Sequence, residues 1–469
     1  MMRTIVAVIA LLFIPFVAAD QRMDAAIASL RQQVNLIVLA EPHNDLIDYQ
    51  ARLASTAPIT TNELQELSAS ISDFWQRHGI AIREPELLSD KDVFVAAAAL
   101  EPDIEGYLGL SNRLRYLTWL ASQQSWQTLT TDKWLKPGDS HADIPEITSR
   151  LIWLRDYRDG YSQPNDRVDY YDKHLRDAVL RFQTRHGLKA DGIIGPATLR
   201  WLNFTPMERA RMLAFNFVER AKYMADVGDR YLLINIPAYE MVLVDEDRVA
   251  LQSRVIVGKP YRPTPIIKGE ISSLVLNPSW NVPRKLVKLD LLPKVRKDGS
   301  YLSRLNFEVF NYAGERVTKT AEEWSDSAKG QFPYRLVQKP GERNTLGRYK
   351  FFFANEFSVY LHDTTEKGLF ARSDRALSSG CIRVEKVEQL ANWMASYLVS
   401  DKQTWVDMQI ERTKTQWFAF NDKLPLHLVY WTSWLDEQNI AQFRDDIYNI
   451  NQDFSGTLHA QNTLKQIKD

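Results

Sequence analysis

One cysteine, Cys381, and 8 histidines occur in the chain, and their placement limits the chemistry they can do. His362 ends a strand-like run, Tyr360-Leu361-His362-Asp363-Thr364. Cys381 follows 19 residues later on a Ser/Gly-rich turn, Leu377-Ser378-Ser379-Gly380-Cys381-Ile382-Arg383-Val384. A thiol attacks a carbonyl after losing its proton. An imidazole within hydrogen-bond reach lowers the thiol pKa and later carries the proton to the leaving group. Gly380 permits a tight turn, so that the N–H groups of Gly380 and Cys381 can point at a developing oxyanion. Arg383 can hold a substrate carboxylate through its planar fork. Asp363 can orient His362, or a backbone carbonyl can do so instead. The other reading of a lone cysteine is a buried, inert apolar side chain. His174, His186 and His427 have no close metal-ligand spacing, which argues against a zinc hydrolase.

Positioning such a pair needs a rigid β scaffold, and the sequence offers one. Tyr231–Ile236, Met241–Asp245 and Val249–Val257 read as strands, the last two joined at a hairpin around Glu246-Asp247-Arg248. Leu274–Leu276, Tyr349–Phe353 and Phe357–Leu361 extend the same domain, which is assigned to 227–405. Within it, 285–331 is a charged, helix-like insertion suited to a binding loop or lid, or else a surface excursion. Trp280, on a turn after a strand, can line a substrate groove, although a tryptophan is more often packing. The insertion's helix-like start gives way at Pro293, Gly299 and Gly314.

Before this domain, 20–145 is helical in pattern, with Leu64–Trp75 and Leu110–Ala121 carrying apolar residues at three- and four-residue intervals. Leu135-Lys136-Pro137-Gly138-Asp139 is a turn. A compact unit at 146–204 follows, with Leu175, Val179 and Phe182 on one helical face and Pro196 opening a further helix. Then come a helical connector at 205–226 and, past a helix around Val387–Leu398, a C-terminal segment at 406–469 without evident chemistry. The whole is a multidomain α+β chain.

Two resemblances sharpen this reading. Phe182-Gln183, Gly187-Leu188, Asp191-Gly192 and Ile194-Gly195-Pro196-Ala197-Thr198 resemble the three-helix peptidoglycan-binding domain of cell-wall enzymes. The His362 and Ser-Ser-Gly-Cys window resembles the active-site motif of L,D-transpeptidases, the YkuD-domain family. Ser379 stands where most members have a second histidine. Ser-Ser-Gly-Cys, the His-Asp-Thr start, Asn277–Pro283, Gln338–Gly341 and Asn344–Gly347 are similar to the larger periplasmic, YcbB-like branch. The resemblance implies Cys381 as nucleophile, His362 as its acid/base partner, and Gly380 with Ser379 in the oxyanion turn. Arg383, Asp363, Trp280, Asn344, Tyr360 and Ser378 are candidates for substrate binding. It also implies 3-3 cross-linking of a donor tetrapeptide stem to an acceptor stem in cell-wall biogenesis, covalent inhibition by carbapenems, and no cofactor or metal. Other cell-wall synthesis proteins are candidate partners. An L,D-carboxypeptidase, a lipoprotein-tethering enzyme and a non-catalytic wall binder are the alternatives.

Composition agrees with an exported globular protein. Its 469 residues suggest about three domains. With 58 Lys+Arg against 59 Asp+Glu and a net charge of -1, the chain lacks the basic excess expected of a nucleic-acid binder. Arg3 and the apolar run Thr4–Ala19, ending Val17-Ala18-Ala19, read as a signal peptide at 1–19 directing the chain to the periplasm. An uncleaved inner-membrane anchor is the alternative. A single cysteine cannot form an intramolecular disulfide, and an exposed thiol is a liability in an oxidising compartment.

Overall fold

A computed structural model describes residues 4–55, 59–82, 93–158, 168–225 and 227–451, with side chains from residue 21 onward save those of 44 and 61. Of the segment 1–19 read as a signal peptide, residues 1–3 and every side chain lie outside the described residues; its backbone from Thr4 belongs to the helix Thr4–Ala40. No helix among the described residues is long and apolar enough to cross a membrane.

The chain divides into two compact units, Met1–Val227 with Trp431–Asp469, and Gly228–Tyr430. The first is helical. The two predicted amphipathic stretches lie in helices Thr61–Arg77 and Tyr107–Gln123, and they bury Leu64, Phe74, Leu110 and Leu117 in one shared core. Thr60 and Thr205 each open a helix with a reciprocal capping box to Glu63 and Glu208, which satisfies backbone donors that would otherwise lack partners. Leu175, Val179 and Phe182 are buried on Lys173–Arg185, and Pro196 is the first residue of Pro196–Asn203. A short hairpin, Ser433–Leu435 with Ala441–Phe443, completes this unit, with Phe443 stacked on His186 at 5.3 Å.

The second unit is built on β strands: β1 Tyr231–Asn235, β2 Glu240–Asp245, β3 Arg248–Gly258, β4 Ile267–Leu276, β5 Trp280–Asn281, β6 Phe307–Phe310, β7 Arg335–Gln338, β8 Tyr349–Phe353, β9 Leu361–His362, β10 Ala376–Ser378, β11 Ile382–Val384 and β12 Gln416–Val429. The main sheet runs β10-β3-β11-β9-β8-β4-β12-β1-β2, and β2 pairs in turn with β3. The sheet thus closes on itself through β2 and β3, which leaves only the short β10 as an edge. Glu246 and Asp247, with φ of 50° and 59°, form the tight turn between β2 and β3, the geometry that matches hairpin twist. The helix Val387–Leu398 buries Leu390, Met394 and Leu398.

Two expectations shift. Of Phe357–Leu361 only Leu361 is paired; Asn355 folds the rest into a loop, accepting from Val359 N–H and donating to the Phe353 and Val359 carbonyls. The segment after 405 is not one piece, because β12 runs between β4 and β1. Its pattern was hard to read because register shifts between Ala419 and Leu424 and Pro425 lies within it, breaking the two-residue alternation.

The insertion is no surface excursion. Strands β5, β7 and β6 form a second sheet, and short helices including Leu292–Lys297, Tyr301–Arg304 and Ala321–Ser327 pack on it. Val295, Leu302, Trp324 and Leu336 are buried in a separate core that also takes in Trp280 and Leu346, and half-buried Tyr360 packs against it.

Candidate active site

Strands β9 and β11 run parallel, pairing Leu361 with Ile382 and His362 with Arg383. That register sets Cys381 beside Tyr360, just before β11. The turn into it is held by side chains. Ser378 Oγ donates to the Cys381 carbonyl at 2.6 Å and accepts the Gly380 N–H at 3.1 Å. Thr264 Oγ1 donates to the Gly380 carbonyl at 2.8 Å and accepts from Gly258 N–H at 2.9 Å. Gly380 has φ of 114°, a conformation that strains residues with a Cβ. Because Ser378 takes the Gly380 N–H, an oxyanion role for this turn narrows to the Cys381 N–H.

His362 is 4% exposed, and its Nδ1–H donates to the Asp363 carbonyl at 2.5 Å. A backbone carbonyl therefore orients the ring and leaves Nε2 with the lone pair. The Asp363 carboxylate has other work: it accepts from Arg348 N–H at 2.8 Å and Thr364 N–H at 2.7 Å and pairs with Lys367. Burial, reinforced by the charges of Arg383, Lys350 and Lys367, pushes His362 down to about 3.

Burial also raises the Cys381 thiol above its ordinary range; hydrogen bonds from Tyr360 backbone and hydroxyl, and the charges of Lys350 and Arg383, pull only part of the way back. Tyr360 packs against the core that contains Trp280, and the Lys350 ammonium sits 4.0 Å over the Tyr360 ring. Lys350 is held below its usual range by burial. At rest Cys381 is consequently a neutral thiol and His362 a neutral imidazole, not a thiolate and an imidazolium. Iodoacetamide alkylation of Cys381 is therefore expected to be slow at pH 7 and to rise through and beyond the ordinary thiol range. A rate plateau below pH 6 would show an ion pair instead.

Several predicted residues fall elsewhere. Asn344 is buried and spends its amide on the Pro278, Gln338 and Lys339 carbonyls and on Leu346 N–H. It shapes a loop and, at 1% exposed, is closed to substrate. Trp280 is 8% exposed and packs in the core that Tyr360 leans on. Arg383 bonds Glu366 at 2.6 Å, while its buried Nε finds no partner among the described residues. No group of three or more metal-ligating side chains occurs among the described residues.

Lys350, Thr264 and Arg262 escaped sequence reasoning. Lys350 gave only the weak signal of one charge inside an aromatic strand. Arg262 is the most informative: Nη1 donates to Ser379 Oγ at 2.9 Å and to Asp290 Oδ2 at 2.7 Å, with Nη2 at 3.3 Å from Oδ1. It ties the turn carrying the thiol to the insertion. Asp290 is 41% exposed but the Arg262 side chain only 11%, so Arg262→Ala should lower Tm by a few degrees at most. Loosening the turn should lower kcat/KM about 10- to 100-fold, because small misplacements of reacting groups are costly. Ser379→Ala and Asp290→Asn separate the two halves of the contact; unchanged kinetics in all three variants would leave Arg262 without this role.

Residues 229–411 match the family model described as L,D-transpeptidase catalytic domain, YkuD, and residues 140–202 match the one described as "Putative peptidoglycan binding domain". A Haemophilus influenzae protein named "Putative L,D-transpeptidase" is 36% identical over 248 residues, covering 52% of this chain and 49% of its own length. The chain thus spans about half the length of that relative. Among solved structures, an L,D-transpeptidase from Stackebrandtia nassauensis aligns at 13% identity over 65% of this chain and 97% of its own, with a TM-score of 0.23. One from Xylanimonas cellulosilytica aligns at 13% identity over 64% of this chain and 100% of its own, with a TM-score of 0.19. Within this chain, residues 229–411 thus correspond to a YkuD L,D-transpeptidase catalytic domain and residues 140–202 to a peptidoglycan-binding domain.

Proposed function

We propose that the protein is a peptidoglycan L,D-transpeptidase that forms 3-3 cross-links through a thioester on Cys381. The observation that carries this reading is the β9–β11 register, which brings the strand bearing His362 and the turn bearing Cys381 together. Deprotonated Cys381 Sγ attacks the carbonyl of the third stem residue, and His362 Nε2 receives the thiol proton. Because the resting pair is neutral, the transfer occurs as the substrate is attacked. The imidazolium returns the proton to the nitrogen of the departing D-alanine, leaving the thioester. The side-chain amine of a second stem's third residue attacks that thioester, loses its proton to His362, and expels the thiol, which is thereby regenerated. The Cys381 N–H stabilises the oxyanion in both halves.

In this reading 20–145 is a scaffold, 146–204 holds the enzyme to the wall, and the insertion 285–331 covers the donor site. The chain acts outside the cytoplasm, exported by the segment 1–19, and carbapenems acylate Cys381. The test is to incubate the protein with disaccharide-tetrapeptide and identify products by mass spectrometry. Cross-linked dimer with released D-alanine is expected. D-alanine release alone would identify a carboxypeptidase, and unchanged substrate would leave a wall binder as the better reading.

A further inference from the structure

The insertion and the residues flanking it line a cleft of about 360 Å³ that includes none of the residues discussed above as site candidates. Its floor is apolar: Val282 and Val287 are 7% and 4% exposed. Two tyrosines form its walls. Tyr334 is braced edge-on against Trp324 at 5.4 Å and against Phe332 at 5.0 Å, whereas Tyr312 stands 82% exposed.

Two guanidinium groups line the same cleft. Arg284 Nη2 donates to the Tyr312 hydroxyl at 3.3 Å, and Arg335 lies over the Phe310 ring at 5.0 Å. Neither makes an ion pair among the described residues. Other arginines of this insertion do: Arg304 pairs with Asp298 at 2.7 Å and Arg316 with Glu308 at 3.5 Å. An apolar floor, rigid aromatic walls and a few convergent polar groups are the usual makeup of a ligand site. Planar forks lacking carboxylate partners select carboxylates.

We propose that this cleft binds the carboxylates of a peptidoglycan stem peptide, which makes it a specificity site separate from the thiol. The inference rests on the transpeptidase reading above. Reach is compatible with it. Trp280, in the core against which Tyr360 packs beside the thiol-bearing turn, is two residues from Val282 on the cleft floor, at most about 7 Å of extended chain. A stem of four residues spans about 13 Å when extended and can engage both places. The aliphatic parts of the stem then lie on Val282 and Val287, between the tyrosines.

The test compares the wild type with Arg284→Ala/Arg335→Ala and with a control, Lys297→Ala/Lys329→Ala, which removes two cations of the same insertion outside the cleft. With disaccharide-tetrapeptide, the cleft variant should raise KM about tenfold while kcat stays within about twofold, the pattern of lost ground-state binding. The control should match the wild type. An unchanged KM in the cleft variant, or an equal rise in the control, would overturn the proposal. A wild type that forms no product would instead overturn the transpeptidase reading; in that case direct titration of disaccharide-tetrapeptide into wild type and cleft variant decides the cleft. Tenfold weaker binding to the variant supports it, and equal binding refutes it.

Discussion

Cys381→Ala is expected to lose cross-linked product, D-alanine release and carbapenem adduct together, on the order of 10⁴-fold or more in rate, while still binding peptidoglycan. The loss should be complete because this is the only thiol in the chain, so no neighbouring cysteine can substitute for it. The substitution itself is mild: a small side chain beside Tyr360 is shortened, and the turn is held by Ser378 and Thr264 through backbone groups that alanine keeps. Tm should therefore stay near the wild-type value. Intact-mass analysis after carbapenem exposure reads the chemistry and pull-down with insoluble peptidoglycan reads the binding. An adduct persisting in Cys381→Ala would refute the assignment of the nucleophile, and undiminished product would refute the enzyme mechanism altogether.

His362→Asn should cost about 10²- to 10⁴-fold in kcat, the usual contribution of a positioned acid/base group, while altering stability in a pH-dependent direction. Asparagine can still donate to the Asp363 carbonyl but cannot carry the proton. In the folded wild type, burial holds the imidazole neutral down to about pH 3, whereas in the unfolded chain it takes up a proton near its ordinary value of about 6.5. The unfolded state therefore binds more protons between those limits. The stability associated with His362 is fully present above about pH 6.5 and declines as pH falls toward 3. Tm measured at pH 7.5 and pH 4.5 should thus fall further for the wild type than for His362→Asn. Equal falls would mean that the imidazole is not buried neutral, and unchanged turnover would remove it from the mechanism.

The raised thiol pKa also bears on the proposed part played by Arg262 and the insertion. A thiolate held permanently beside an imidazolium reacts with any small electrophile that reaches it. Here the thiol is desolvated and held by Tyr360, and the turn around it is tied through Arg262 to Asp290 of the insertion.

The sequence by itself determined the local features. Cys381 is unique, the turn at Glu246-Asp247 and the helix Val387–Leu398 follow from neighbouring residues alone, and Leu175, Val179 and Phe182 mark a buried helical face because their spacing repeats the helix period. Cys381 and His362 stand out as candidates for the same reason: each sits in a short motif whose residue types suit the proposed chemistry. Tertiary structure decided what those residues touch. Whether Asp363 or a carbonyl orients His362, whether Gly380 N–H is free, and whether Asn344 faces substrate or loop all depend on hydrogen bonds made across strands or around folded loops. Lys350 and Arg262 join the site only through such contacts, since Arg262 lies more than a hundred residues before Ser379. Strand β12 was hidden because its alternation is interrupted, and its pairing with β4 and β1, not its own pattern, makes it a strand. Burial is likewise a property of the whole fold, and it is burial that neutralises the thiol and the imidazole.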